Sequence, residues 1–428
     1  MSTSPSPAAP APGTTPPTAV VVDGYSAGNF YPAAFTAVGA RVIHVQSTPE
    51  LIPTMLAPDL TAYAENIVCS EEDRLVELLR PYSPVAVVPG QESAVQPADR
   101  LSEALGVKSN GTALSAARRD KYEMIEALRR AGVRCADQYK SDDAELLVKW
   151  AQDHGSWPVV VKPISSAASD GVFICDSAEE VRAAARHVLD TRDIFGFANA
   201  EALVQSYLRG TEYVVDTVSC DGRRFVSGVW QYDKVLLPSG QNIYNRDILL
   251  SPDEDPVPAL IDYIHEVLAA LDVRWGPAHA EVIVTDRGPV LVEIATRLNG
   301  QLNPGFQELC LGADQAGLTA LAYTRPEEFL REYAGRVYRK LRSAYSYNPG
   351  TTLDGVVAEV DQEIVARINA LPSVFLTSVK YAPGARIRPT TDLLTAAMRI
   401  YLTSADDEQL VADYETAREL KDSVYRLA

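Results

Sequence analysis

The sequence predicts a mixed α/β protein of three lobes: an N-terminal parallel sheet, a central α+β region with antiparallel strands, and a smaller C-terminal lobe. Three observations carry that expectation. Short apolar runs alternate with helix-like segments from Ala19 to about residue 107, the order that gives a parallel sheet with helices on both faces. Between residues 157 and 235, runs rich in β-branched and aromatic residues follow one another, which suits antiparallel sheet. The chain changes character near residue 340, and its 428 residues agree with about three domains at roughly 150 residues each.

Residues 1–18, MSTSPSPAAPAPGTTPPT, offer too little apolar surface to offset ordering entropy, so a disordered tail is expected. The run AVVV from Ala19 ends at Asp23-Gly24, the helix-like NFYPAAFTAVGA follows, and RVIHVQ completes a β-α-β unit. VAVV at 85–88 ends in Pro89-Gly90-Gln91-Glu92 and leads into the helical SAVQPADRLSEALGV. Gly24 and Gly28 do not form G-x-G-x-x-G, so residues 19–115 read as a Rossmann-like domain without a dinucleotide. DKYEMIEALRRAGV is a linker helix with apolar Met124, Ile125 and Leu128 at helical spacing and a stop at Gly132. WPVVVKP at 157–163 reads as a buried strand, ISSAASDG as a small-residue loop, VFIC as a short strand and 178 to about 190 as a helix. LVQSYL, EYVVDTVSC and RRFVSGVWQY read as successive strands of an antiparallel sheet. A helix near 256–271 precedes PAHAEVIVT and GPVLVEIATR, joined as a hairpin through Asp286-Arg287-Gly288. Residues 341–428 form the third lobe and end in the charged helix DDEQLVADYETARELKDSVYRL.

Charge narrows the partners. With 57 Asp+Glu against 39 Lys+Arg the net charge is −18, which repels phosphate backbones and anionic lipid, so neither nucleic acid nor membrane is expected. No apolar run approaches the ~20 residues that cross a bilayer, and the N-terminus lacks the order of a secretory signal. A cytoplasmic enzyme is expected. The five cysteines are scattered and never in C-x-x-C spacing, so they read as reduced thiols.

Lys162, at the end of an apolar strand and before a small-residue loop, has two readings: a cation that meets a polyphosphate beside free backbone amides, or a solvated strand end. Ser165, Ser166 and Ser169 would add hydroxyl donors to such a loop. In LVQSYLRGTEYVVD, backbone near Ser206 to Leu208 is placed to pair with a planar base, and Glu212 to accept from ribose hydroxyls or to face solvent. His279 and Glu281 share one face of their strand, and Glu293, Ala295 and Arg297 one face of theirs. Two carboxylates on adjacent strands either lie on the solvent face of an amphipathic sheet or repel unless a cation lies between them; the otherwise apolar strands favour the second, Mg²⁺ held with substrate phosphates.

Taken in order, Asp120-Lys121, VVVKP, LVQSYLRGTEYVVD, HAEV and GPVLVEIATRLNG resemble the ATP-grasp superfamily, specifically its carboxylate–amine ligases of the L-amino-acid (dipeptide) ligase type. The resemblance runs from Val20 to about residue 325 and implies an ATP-grasp domain over 116–340 with a lid subdomain at about 150–208. It places Lys121 and Lys162 on the ATP phosphates, the 164–171 loop with Gly171 over them, Gln205 and Leu208 at the adenine hinge, and Glu212 at the ribose. Glu281 and Glu293 fall at Mg²⁺, for which Mn²⁺ is a substitute, and Arg297 at the transferred phosphate. The superfamily pattern E-x-N-x-R has an asparagine where this chain has Ala295, a departure shared with the amino-acid ligase branch.

The resemblance implies ADP-forming condensation of a carboxylate with an amine through an acyl phosphate. His279 then has two readings, acceptor of the amine's proton or a packed residue that orients a carboxylate. Asn242, Tyr244, Arg246 and Asp247, in a polar loop, and Asn299, Gln301 and Asn303 after Arg297, are candidates for the substrate pocket. The expected partners are small-molecule carboxylates and amines, the expected assembly a homodimer. The competing readings are an ATP-grasp enzyme of purine or biotin type, to which the asparagine replaced by Ala295 belongs, and a non-catalytic ATP-binding regulator, against which both glutamates and Arg297 argue.

Overall fold

A computed structural model describes residues 16–52, 55–165, 171–192, 196, 198–236, 242–301, 303–391 and 395–428. The expected tail falls outside these residues up to 15, and the first strand already begins at Thr18.

The N-terminal lobe runs β1 (Thr18–Val22), α1 (Tyr31–Ala37), β2 (Arg41–Gln46), β3 (Glu65–Val68), α2 (Glu72–Leu79), β4 (Ala86–Pro89) and α3 (Val95–Leu105). Its four strands are parallel in the order β3-β2-β1-β4. All five residues of β1 are buried because both faces are covered. Val20 and Val22 pack with Leu75, Leu79, Ala98 and Leu101 of α2 and α3. Ala19 and Val21 pack with Tyr31 and Phe35 of α1, and this layer continues into Leu298, Ala316, Ala320 and Tyr323 of the central region. The lobe is therefore joined to the rest of the molecule through a shared apolar core.

After α4 (Lys121–Arg130) come β5 (Gln138–Ser141), α5 (Ala144–His154), β6 (Val159–Pro163), β7 (Phe173–Cys175), α6 (Ala178–Asp190) and β8 (Ala202–Ser206). These strands form an antiparallel sheet in the order β5-β8-β6-β7, with α5 and α6 on its core. The small sheet starts at Gln138, ahead of residue 150. LVQS does not pair with EYVVD, contrary to the expectation of one sheet: at Gly210 the chain passes so close to the Val284 carbonyl that a Cβ there would collide, and it swings into a second sheet.

That sheet contains β9 (Thr211–Cys220), β10 (Arg223–Leu236) and β11 (Asn242–Leu249), then, after α7 (Val257–Ala270), β12 (Gly276–Thr285) and β13 (Gly288–Ala295). Following α8 (Pro304–Leu311), α9 (Gln315–Thr324) and α10 (Pro326–Glu332), the chain adds β14 (Ser343–Tyr347), β15 (Gly355–Val360), α11 (Gln362–Asn369), β16 (Val374–Val379), β17 (Arg386–Ile387), β18 (Met398–Ser404), α12 (Asp407–Leu420) and β19 (Tyr425–Leu427). The eight-stranded order is β13-β12-β9-β10-β11-β14-β18-β16, so the C-terminal segment extends the central sheet instead of standing apart. A three-stranded sheet, β17-β15-β19, closes the end. Residues 242–249, read as a loop because NIYNRD is polar, form an interior strand between β10 and β14. Among the described residues no helix is long and apolar enough to cross a membrane.

Candidate active site

A cleft of about 870 Å³, counted to its open mouth, lies between the two antiparallel sheets. The small sheet and the turn after it contribute Val160, Lys162, Pro163, Ile174 and residues Gln205 to Leu208, the large sheet Glu212, Lys234, Glu281, Ile283, Val292 and Glu293, and α4 its first residue, Lys121.

Strand alternation explains the large-sheet wall. Ala278, Ala280 and Val282 join the helical core, so His279, Glu281 and Ile283 point the other way. Cross-strand pairing puts His279 opposite Ala295 and Glu281 opposite Glu293, which brings both carboxylates to one face. A bulge follows, where Val282 pairs with Leu291 and Val292 is left over to line the cleft.

Asp120 caps α4 by accepting from the Tyr122 and Glu123 amides, and this sets Lys121 on the first turn. The Lys121 ammonium lies 2.7 Å from Glu293 Oε2. Burial alone would raise the Glu293 carboxyl, but Lys121 beside it outweighs that and holds it below the usual carboxylate range. Lys162 is buried at 4% exposure, and its Nζ donates to Gln205 Oε1 at 3.0 Å. Burial, with repulsion from Lys121, lowers Lys162 from 10.5 to about 8. Gln205 Nε2 is turned toward Gln138 Oε1 at 3.4 Å, so the side chain expected to face a base braces a lysine first. Glu212 accepts from Lys234 Nζ at 2.6 Å, a partner the sequence did not disclose because it lies 22 residues away on the next strand.

His279 sits between two carboxylates. Its Nδ1 is 2.9 Å from Asp216 Oδ1 and its Nε2 3.6 Å from Glu281 Oε1. Burial depresses its pKa, but the two carboxylate partners outweigh it and raise the ring to about 9, so it holds its proton near neutrality. Asn299, proposed for substrate, is also committed elsewhere: Nδ2 donates to Asp216 Oδ2 at 2.9 Å, completing a buried row Asn299–Asp216–His279–Glu281. Arg297 does not line the cleft with the lysines; its Nε donates to Glu92 Oε2 at 3.0 Å and its Nη1 to the Leu298 carbonyl at 2.8 Å.

Ser165 and Gly171 bound the expected phosphate loop, Gly171 at φ 66° with Pro163 against it, whereas Ser166 and Ser169 lie outside the described residues. Asn242 and Tyr244 open β11, and their side chains are likewise outside the description. Arg246 pairs with Asp233 at 2.8 Å and lies over the Tyr345 and Tyr414 rings, so it serves packing. Asp247 is buried with Oδ1 lacking a partner among the described residues; burial, softened by Arg399, raises it to about 7. Gln301 spans Tyr232 and Asn348, and Asn303 caps α8.

Whether the cleft fits a divalent ion can be judged from its donors. Among the described residues no three or more His, Cys, Asp or Glu side chains gather to hold a metal. Two opposed carboxylates do suit Mg²⁺ when phosphate oxygens complete the shell.

A cleft between two antiparallel sheets, lined by three lysines and a pair of opposed glutamates, defines a class: the chain belongs to the ATP-grasp family, as an ATP-dependent ligase that forms C–N bonds. Residues 155–304 match the ATP-grasp domain family. The chain is 35% identical over 390 residues to dapdiamide A synthase of Enterobacter agglomerans, covering 88% of this chain and 89% of that protein. It is 24% identical over 222 residues to an L-arginine-specific L-amino acid ligase of Bacillus subtilis, half of each chain. The crystal structure of an L-amino acid ligase from Bacillus licheniformis superposes with a TM-score of 0.73 at 17% identity, over 96% of this chain and 99% of that one. The protein thus forms amide bonds between amino-acid substrates with ATP, and a purine or biotin type fits less well.

Proposed function

We propose that this ligase activates the carboxylate of one amino-acid-like substrate as an acyl phosphate and transfers the acyl group to the amine of a second. The gathering of Lys121, Lys162, Gln205, Leu208, Glu212, Glu281 and Glu293 around one cleft is the observation that supports it. A carboxylate oxygen attacks the γ-phosphorus of ATP, the bond to the β–γ bridging oxygen breaks, and ADP leaves. The amine nitrogen then attacks the acyl carbon, the C–O bond breaks, and phosphate departs with the amine's proton. Mg²⁺, or Mn²⁺ in its place, would neutralise charge on the phosphates.

The apolar residues Val160, Ile174, Leu208, Ile283 and Val292 form a slot for a planar base, with the Ser206–Leu208 backbone at its edge. Glu212, steadied by Lys234, receives the ribose hydroxyls. Lys121 and Lys162 bind the phosphates, and Ser165 and Gly171, at the two ends of the expected phosphate loop, belong to the same site. Glu281 and Glu293 hold the metal, and His279, keeping its proton, orients Glu281. Arg297 acts on the transferred phosphoryl group, where charge develops during transfer. The proposed setting is cytoplasmic, in keeping with five free cysteines, and the proposed assembly a homodimer.

The test is a screen of amino-acid pairs for ADP release, with product masses read directly and hydroxylamine added to trap the activated acyl group. ADP and phosphate should appear in step with a new amide, and one carboxylate substrate alone should give a hydroxamate. AMP formation, or ATP turnover that no pair stimulates, would overturn the reading.

A further inference from the structure

The Pro89-Gly90-Gln91-Glu92 turn after β4 has no part in the nucleotide cleft, yet it ends on Arg297. We propose that Glu92 is a positioning residue: through it the N-terminal lobe sets the orientation of the Arg297 guanidinium for phosphoryl transfer. The proposal rests on the role given to Arg297 above.

A guanidinium is planar, so hydrogen bonds on two of its edges fix both its plane and its rotation. Here Glu92 takes Nε and the Leu298 carbonyl takes Nη1. Nη2 has no partner among the described residues and is left for a substrate oxygen. Glu92 is only 8% exposed, and Arg119 Nη1 approaches its other oxygen at 3.9 Å, so the carboxylate is held between two arginines. Such a buried ion pair adds little net stability, because desolvation offsets much of the attraction, whereas it restricts geometry strongly.

The turn that carries Glu92 has no slack. Gly90 N donates to the Val22 carbonyl at 2.7 Å, and a Cβ on Gly90 would collide with the Asp23 carbonyl and Gly24 Cα. A Cβ on Gly28 would lie 2.8 Å from the Gly90 carbonyl. Asp23 is itself tied to the Ser47 amide and hydroxyl at 2.8 and 2.6 Å. In an open parallel sheet, ligands bind at the carboxyl ends of strands where the order reverses, here between β1 and β4. In this chain Gly24, Gly28 and Gly90 approach one another closely there, and the segment that follows brings the Glu92 carboxylate to Arg297. Leu298, next to Arg297, sits in the apolar core shared with the N-terminal lobe, so both anchors of the guanidinium depend on how that lobe is seated.

The experiment uses the full chain with ATP, Mg²⁺ and an equimolar mixture of the twenty proteinogenic L-amino acids, reading ADP release, together with crystal structures of the variants. Glu92→Ala should lower kcat about 100-fold, the scale of misplacing a reacting group by about 1 Å, with ATP affinity by calorimetry changed less than twofold. Glu92→Gln, which keeps the shape and one acceptor, should fall between, and its melting temperature guards against misfolding. The Glu92→Ala/Arg297→Ala double variant should be no slower than Arg297→Ala alone, which purely structural damage would not produce. In crystals of Glu92→Ala the guanidinium should leave its present position. An Arg297 that stays in place, or losses that multiply, would overturn the proposal. If Arg297→Ala itself leaves turnover unchanged, the role proposed for Arg297 fails; if it slows turnover and Glu92→Ala does not, only this inference fails.

Discussion

Replacing Lys162 by methionine should stabilise the nucleotide-free enzyme while weakening its hold on ATP. The ammonium is buried, and its pKa falls from 10.5 to about 8, which corresponds to about 3 kcal/mol disfavouring the charged form. Methionine removes that penalty but leaves the Gln205 Oε1 acceptor without its lysine, at about 1–2 kcal/mol. A net gain of about 1–2 kcal/mol remains, near 1–2 °C in melting temperature at about 2.1 cal/mol/K per residue. The pH dependence has a definite sign. Below about pH 8 the lysine is protonated in folded and unfolded chains alike, and the penalty stands in full. Between about 8 and 10.5 the folded protein loses the proton first, so the parent gains stability with rising pH and the methionine variant loses its advantage. Differential scanning calorimetry from pH 7 to 10 measures this, and titration calorimetry with ATP and Mg²⁺ should show at least tenfold weaker binding. A variant less stable than its parent at pH 7, or an advantage that grows toward pH 10, would refute the reasoning.

Three more outcomes are expected. Glu281→Gln and Glu293→Gln should each abolish Mg²⁺-dependent turnover, and Glu293→Gln should also destabilise the nucleotide-free protein, by about 1–2 kcal/mol, because it breaks the pair with Lys121; a melting temperature equal to the parent's would count against that pairing. Asn299→Ala withdraws a donor from the fully buried Asp216 and should cost about 1–3 kcal/mol by chemical denaturation, with no change in ATP affinity. Lys234→Met should raise the KM for ATP a few-fold with kcat nearly constant, since it loosens Glu212 and not the reacting groups; a kcat effect alone would place Lys234 elsewhere.

The cleft residues were legible where chemistry and local pattern coincide. Lys162, Glu281 and Glu293 are charged positions inside strongly apolar strands, and alternation brings the two glutamates to one face once the hairpin register is known. What stayed hidden depends on pairing across long separations. Asp216 reaches His279 from 63 residues away and fixes the ring beside Glu281. Glu92 lies 205 residues from Arg297, in a lobe read from sequence as a separate unit. Strand β11 was missed for another reason: local propensity says loop, yet hydrogen bonds to both neighbours hold a polar sequence in the sheet interior.

The continuous sheet bears on how such enzymes can be recombined. Three residue pairs, Arg246–Tyr347, Asp247–Ser346 and Ile248–Tyr345, form the seam between β11 and β14, and Arg399 of β18 clasps Asn348 and the Gly300 and Gln301 carbonyls across it. A chimera that exchanges everything after residue 340 with a relative must reproduce that seam and that clasp, or β11 becomes an open edge inviting association with other chains. Grafts confined to loops at the cleft mouth leave the seam whole. For this architecture the unit of inheritance is the sheet edge, and it does not coincide with the lobe.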